Sequence, residues 1–547
     1  MLDLLKYNIQ FSRLFFTRLD ALARHRLASI AVIACLSFGG SWLFSVFKGT
    51  PVPWVHDEYS YLLAGDTFAH GRITNPTHPM WEHFETFHEL MVPTYMSQYP
   101  PGQGLFLAAG QVIFGHPIYG VWLSTGLMSA AICWMLYGWL APRWALVGGI
   151  VAVLQFGVFT YWIQSYWGGA VAALGGALVF GALPRIVKYQ RLRDTVFLGL
   201  GIGILVNTRP LEGIIFGIPL GFLLLPWKIK WPLLDKRRLL KNALLPLILL
   251  VLAIALLTGA YNKKITGNAF ELPYTVYSKQ YMSIPIFIWQ PLPPTVHYNH
   301  KAINDFMNGY SVDYYRKKKS WEGFILDFSE DNRHLIMFFL GFPLALPSLA
   351  IIFLIFCHPK TACRCLLSLG IIFFTMILLT YSAKPHYIAS LTCFVVLLIT
   401  TGLRALYGLR SRRLLVGPMM VTFLISLQLL LNILWTPVRP AVKSLAKSTF
   451  SSFQMNLPQS FSREQLINIL LKRGGKYLII VQYPFWHDSF REWVFNDADI
   501  DGSPIIWARD MGAYKNTRIL QYFKDRQVLF INIVWDIKLY PYYGARQ

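Results

Sequence analysis

Long apolar runs constrain this chain more than any other feature, among them Leu27 to Phe47, Ala243 to Ala260 and Leu414 to Trp435. Each is about as long as a helix must be to cross a hydrocarbon core of roughly 30 Å. In lipid every backbone N–H and C=O must find its partner within the protein, so such runs specify helices. Composition agrees: of 547 residues, 55% are hydrophobic and 14% are charged, where a soluble domain carries about 25% charged. Disorder and a water-soluble multidomain enzyme are excluded. The sequence specifies a polytopic α-helical membrane protein.

Charge orients it. The chain has 50 Lys+Arg against 27 Asp+Glu, a formal net charge of +23. In a soluble protein that excess would point to nucleic acid. Here the basic residues gather in the N-terminal tail (Lys6, Arg13, Arg18, Arg24, Arg26) and in short loops such as Arg185 to Arg193 and Lys228 to Lys241, the positive-inside pattern. No nucleic-acid partner is expected. Residues 1–26 then form a cytoplasmic tail, 27–47 an uncleaved signal anchor, and 48–117 a first external loop with an interfacial apolar segment at 104–116. Further spans are predicted at 118–140, 144–161, 168–184, 243–260, 335–356, 366–382, 387–403 and 414–435. The stretch 195–226 contains Asn207-Thr208-Arg209-Pro210. Proline breaks the helix ladder there, which predicts two short spans turning at the outer surface. The result is about eleven spans, a membrane domain over 27–435, a second external loop over 261–334 and an external C-terminus. Residues 436–547 alternate helix-like runs (Arg463 to Leu471) with strand-like ones (Lys476 to Gln482, Val528 to Val534), which predicts a small α/β domain. None of the six cysteines lies in an external loop, so no disulfide framework is implied. Cys357, His358, Cys363 and Cys365 match no common zinc spacing.

The chemistry-bearing residues fall on the external side. Asp57-Glu58 follows the first span directly. Adjacent carboxylates can supply a general base and a hydrogen-bonding neighbour, or simply favour the positive end of a helix. A loop rich in His, Glu, aromatic residues and Pro comes next, Thr77-His78-Pro79-Met80-Trp81-Glu82-His83-Phe84-Glu85, ending in Gln98-Tyr99-Pro100-Pro101-Gly102-Gln103-Gly104.

This arrangement resembles the GT-C superfamily of membrane glycosyltransferases, in its protein O-mannosyltransferase and lipid A aminoarabinose transferase branch. The resemblance spans roughly residues 1–400 and rests on short motifs; the C-terminal tail matches no domain of that branch. It implies a GT-C fold, with Asp57 at the position of the catalytic aspartate and Glu58 beside it. It also implies a polyprenyl-phosphate-linked sugar as donor, an acceptor (glycan, lipid or protein) on the periplasmic side of a bacterial inner membrane, and no required cofactor.

A lipid-phosphate donor needs cations near the outer helix ends. Arg209, at the broken helix, and Lys384 with His386, in Tyr381-Ser382-Ala383-Lys384-Pro385-His386-Tyr387, are the candidates. For Arg209 the competing expectation is an ion pair with Glu212, three residues on. Tyr99, Tyr166, Trp167 and Tyr387 supply aromatic faces for a sugar, although the glycines after Trp167 also suit close helix packing. Six of the 13 histidines fall between His56 and His116. Among them His83 and His88, interleaved with Glu82, Glu85 and Glu89, offer ligands for a divalent metal. In the tail, Asp497, Asp499 and Asp501-Gly502 begin a calcium loop, but its twelfth position is Ala508 where glutamate is required. The alternative from another class is a transporter or flippase of lipid-linked saccharides. It would need charges deep within several spans, and those are scarce here.

Overall fold

The computed structural model describes residues 16–211, 213, 235–349, 384–409, 416–438, 463–484, 489–533 and 538–541. Among these, six helices are long and apolar enough to cross a membrane: Arg26–Lys48, Ile118–Trp139, Gly169–Tyr189, Lys236–Thr266, Ala389–Tyr407 and Val416–Leu434. The expected span at 366–382 lies outside the described residues, as do Glu212 and the Cys357–Cys365 cluster.

Small residues and hydroxyls bring these helices together, as expected where lipid provides no hydrophobic drive between them. The buried stripe of Arg26–Lys48 is Ser29, Ile33, Ser37, Ser41 and Ser45. Pro142–Ala152 continues into a π-helical turn, Val153–Gly157, and stops. The Gly157 carbonyl takes hydrogen bonds from the hydroxyls of Ser41 (2.8 Å) and Ser37 (3.3 Å). The expected span at 144–161 is therefore shortened, and Tyr161–Ile163 forms a separate 3-10 turn. In Gly169–Tyr189 each glycine admits a different neighbour. A Cβ on Gly175 would meet Ile204 and Leu205, one on Gly176 would lie 2.1 Å from the Ser390 carbonyl, and one on Gly181 would lie 2.4 Å from Trp134.

Leu192–Val206 ends at Asn207 as the proline predicted, and the chain turns through Thr208 and Arg209. The Gly102 N–H donates to the Asn207 carbonyl (2.7 Å), which docks the start of the interfacial helix Pro101–Phe114 on this turn. The segment read as a second external loop is largely helical. The Lys236–Thr266 helix runs six residues past the predicted end at 260, and Pro273–Tyr281, Val312–Lys319 and Trp321–Phe339 follow. Several of its charges lie on exposed helix faces, but Lys318 and Asp331 are buried, and Ser320 caps the last helix by accepting from the Gly323 N–H (3.2 Å).

Residues 463–541 build a four-stranded sheet of order β5-β4-β6-β7, with β4 Tyr477–Gln482, β5 Ile505–Arg509, β6 Gln527–Asn532 and β7 Lys538–Pro541. β4 runs parallel to β5 and β6, while β7 is antiparallel. Both faces are covered, as parallel strands require. Tyr477, Ile479 and Val481 pack on Leu466 and Leu470 of Arg463–Arg473. Leu478 and Ile480 pack with Phe84, Met91 and Tyr95 of the first loop. That loop carries its own small sheet, in which β3 Thr94–Ser97 pairs with both β1 Asn75–Pro76 and β2 Glu89–Leu90.

Glu85 ties three pieces together. Its carboxylate accepts from Tyr281 (2.8 Å) and Asn299 (3.1 Å), and its carbonyl accepts from Arg509 Nε (2.6 Å). Arg509 also forms a buried ion pair with Glu492 (2.6 Å).

Candidate active site

The helix His56–Ala69 starts directly after the first span, with Asp57 and Glu58 in its first turn. The two acids part company there. Glu58 is 3% exposed; one oxygen accepts the Trp54 N–H (3.3 Å) and the other the Tyr166 N–H (3.1 Å), with Trp167 beside the same carboxylate. Burial pushes the Glu58 carboxyl up to about 7 despite these donors. Asp57 is 29% exposed and turns the other way. Tyr99 donates its hydroxyl to Asp57 Oδ1, and His88 Nε2 lies 4.0 Å from Oδ2. Burial raises the Asp57 pKa, but His88, the Tyr99 hydroxyl, His56 and Arg209 outweigh it and hold the carboxyl below its usual 3.8. Asp57 is therefore ionised at neutral pH.

Arg209 reaches this carboxylate's field from the broken helix, its guanidinium 4.9 Å from the Tyr387 ring centre. Next to Tyr387, His386 Nδ1 hydrogen-bonds the Tyr161 hydroxyl (3.0 Å), and its ring meets Trp167 edge-on at 4.4 Å. Burial, with Arg209 and Lys384 nearby, keeps His386 well below 6.5 and so neutral at pH 7. Lys384 is brought down to about 8 by burial, opposed by Asp331, Asp327 and Glu330 of the Trp321–Phe339 helix.

Asp57, Tyr99, Arg209, His386, Tyr387 and Trp167 thus converge, although the chain separates them by up to 330 residues (387 − 57). Tyr166 does not face this group. It is buried with Tyr61 and Trp122, and its hydroxyl donates to the Pro51 carbonyl (3.0 Å). His83 and His88 do not share a site. His83 hydrogen-bonds Asn516 in the tail, whereas His88 faces Asp57. Among the described residues no group of three or more His, Cys, Asp or Glu is placed to hold a metal ion. His56 is structural: it stacks on Phe87 (4.2 Å), bonds the Ser489 carbonyl, and is pushed down to about 4, chiefly by burial.

Sequence reasoning missed the contact of His88 with Asp57 and that of Tyr161 with His386. No spacing signals either one. The first depends on a turn and the second on two segments more than 200 residues apart.

No family model matches the chain, and no curated protein matches it. Among solved structures the chain is similar to ArnT from Cupriavidus metallidurans in the apo state, at 12% identity and a TM-score of 0.45, covering 92% of each chain. The same protein bound to undecaprenyl phosphate is similar at 13% identity and a TM-score of 0.42, covering 93% of this chain and 92% of that one. The archaeal oligosaccharyltransferase AglB from Archaeoglobus fulgidus, in complex with an inhibitory peptide and a dolichol-phosphate, is similar at 10% identity and a TM-score of 0.39, covering 93% of this chain and 69% of that one.

Proposed function

We propose that the protein is a GT-C-type glycosyltransferase that moves a sugar from a polyprenyl-phosphate donor to an acceptor on the periplasmic side of a bacterial inner membrane. One observation carries the reading. An ionised, partly exposed carboxylate, Asp57, lies in the electrostatic reach of Arg209 at the ends of long apolar helices. A base and a phosphate-binding cation at that depth suit a substrate whose tail stays in lipid.

In the reaction the acceptor hydroxyl gives its proton to Asp57 as its oxygen bonds the anomeric carbon. The bond from that carbon to phosphate breaks, and polyprenyl phosphate leaves with the electron pair. A single displacement inverts the anomeric centre. Arg209 stabilises the charge that grows on the departing phosphate, where an arginine fork is most effective. Lys384 adds charge from the neighbouring turn. His386, being neutral, contributes a hydrogen bond instead. The faces of Trp167 and Tyr387 border the space for the sugar. Glu58, with its oxygens on backbone amides, shapes the turn that aims Asp57.

The test is turnover. Purified protein in lipid nanodiscs is incubated with a panel of polyprenyl-phosphate hexoses and pentoses and a membrane-extract acceptor, and release of polyprenyl phosphate is measured. Asp57→Asn keeps shape and removes basicity, so release should fall roughly 100-fold or more with donor binding retained. Wild-type rates in the variant would make Asp57 structural and overturn the reading.

A further inference from the structure

His88 has a left-handed backbone, φ 62°, one of two non-glycine residues with positive φ among those described. Such a conformation is strained for a residue with a Cβ and persists only where the surroundings over-determine it. Here they do. The His88 N–H donates to the Tyr277 hydroxyl (2.9 Å), and its carbonyl accepts from Ser60 Oγ (2.6 Å) and the Gln98 N–H (3.1 Å). The ring is fixed as well. Gln98 Nε2 donates to Nδ1 (2.7 Å), which leaves the ring proton on Nε2, the atom 4.0 Å from Asp57 Oδ2. Tyr99, two residues after the strand that brings Gln98 here, holds the other oxygen of the same carboxylate. The strained turn aims one N–H at Asp57.

We infer that His88 is a positioning residue for the proposed base: its Nε2–H, facing Oδ2 from 4.0 Å, and the Tyr99 hydroxyl, bonded to Oδ1, flank the Asp57 carboxylate and hold it in one orientation. The inference rests on the reading of Asp57 as the base. Other titratable or charged groups that face this pair are His56 and Glu58 on the same helix, Tyr99, Tyr277 and Arg209.

The left-handed backbone makes a clean test available, because glycine and asparagine suit that conformation. His88→Gly and His88→Asn remove the ring and relieve strain, while His88→Gln returns an N–H near the Nε2 position. A hydrophobic carbodiimide, which attacks protonated carboxyls, is applied to the full-length protein in nanodiscs between pH 4.5 and 7. Labelling at residue 57 is read by fragment-ion mass spectrometry, with the exposed Asp313 of the Val312–Lys319 helix as internal standard.

Loss of a donor to a carboxylate raises its pKa by about one pH unit. Asp57 labelling at pH 5 should then rise about tenfold in the Gly and Asn variants and stay near wild type in Gln. A ring that only fills space would, when removed, let water reach Asp57 and leave labelling unchanged or lower, and that result overturns the inference. The outcome is separate from the fate of the proposed function. If Asp57→Asn keeps full turnover, the base assignment fails whatever the labelling shows. If Asp57→Asn is inactive while the Gly and Asn variants label as wild type, only the role of His88 fails.

Discussion

Asp57 and Glu58 share a helical turn, yet one side chain meets Tyr99 and the other the Tyr166 amide. Environment, not chemistry, divides their roles. The sequence marked both as acids beside a membrane span and could not separate them, because the separation is made by residues 42 and 108 positions away. Arg209 was legible as a charge between apolar runs next to a proline. His386 was legible as polar at a turn, but its neutrality follows from burial that no local pattern encodes. Glu58 carries a pH signature. Its folded pKa, raised from 4.5 to about 7, means that the folded state binds this proton more tightly than the unfolded chain. The associated stability is present below pH 4.5 and is lost as pH rises through 7, roughly 3 kcal/mol at about 1.4 kcal/mol per pH unit. Glu58→Gln has no such proton, so the drop in unfolding temperature between pH 5 and pH 8 should be smaller in the variant than in wild type. Equal drops in both proteins would show that Glu58 ionises freely in the fold.

Among the elements, the apolar helices were readable from length alone, since lipid permits little else. The helices of 261–334 were not. Their charges, read as a solvated loop, include pairs between consecutive helices, such as Lys318 of Val312–Lys319 with Asp327 of Trp321–Phe339 (2.7 Å), which form only once the turn between the helices is made. The glycines of Gly169–Tyr189 were legible as packing residues, but not what each one admits. Gly176 matters for the site. It lets the Ser390 backbone approach, and that turn also carries Lys384, His386 and Tyr387. A Cβ at 176 would strike a carbonyl oxygen, which has no rotamer with which to retreat. Gly176→Ala should therefore cost about 1–3 kcal/mol of stability and displace the turn. Binding of polyprenyl phosphate, measured in nanodiscs, should weaken about tenfold, equivalent to about 1.4 kcal/mol. Gly39→Ala, where a Cβ meets nothing within 4 Å, should leave both quantities unchanged and serves as control.

At the scale of the molecule, the first loop, the helices of 261–339 and the tail form one interlocked body at the end of the bundle that holds Asp57. Asp66, on the Asp57 helix, accepts both the Gln111 side chain (2.9 Å) and the Ala498 N–H (2.9 Å). Arg509 spans from Glu492 to the Glu85 carbonyl. Two strands of the tail, β4 and β6, were legible in its β-branched runs, whereas β5 and β7 were not. The docking of the tail on the first loop was not legible either, because those contacts join residues more than 400 positions apart and leave no periodicity. The consequence is that the proposed base is held by a cap on one end of the bundle, with Arg209, the proposed phosphate-binding cation, in its electrostatic reach. The measurement that reaches this claim most directly is a cryo-electron microscopy structure of the protein in nanodiscs with polyprenyl phosphate. The account expects the phosphate on the Arg209 guanidinium, beside His386 and on the Asp57 side of the broken helix, with the prenyl chain running into lipid. A phosphate seated away from the Asp57 helix, or out of contact with Arg209, would contradict it.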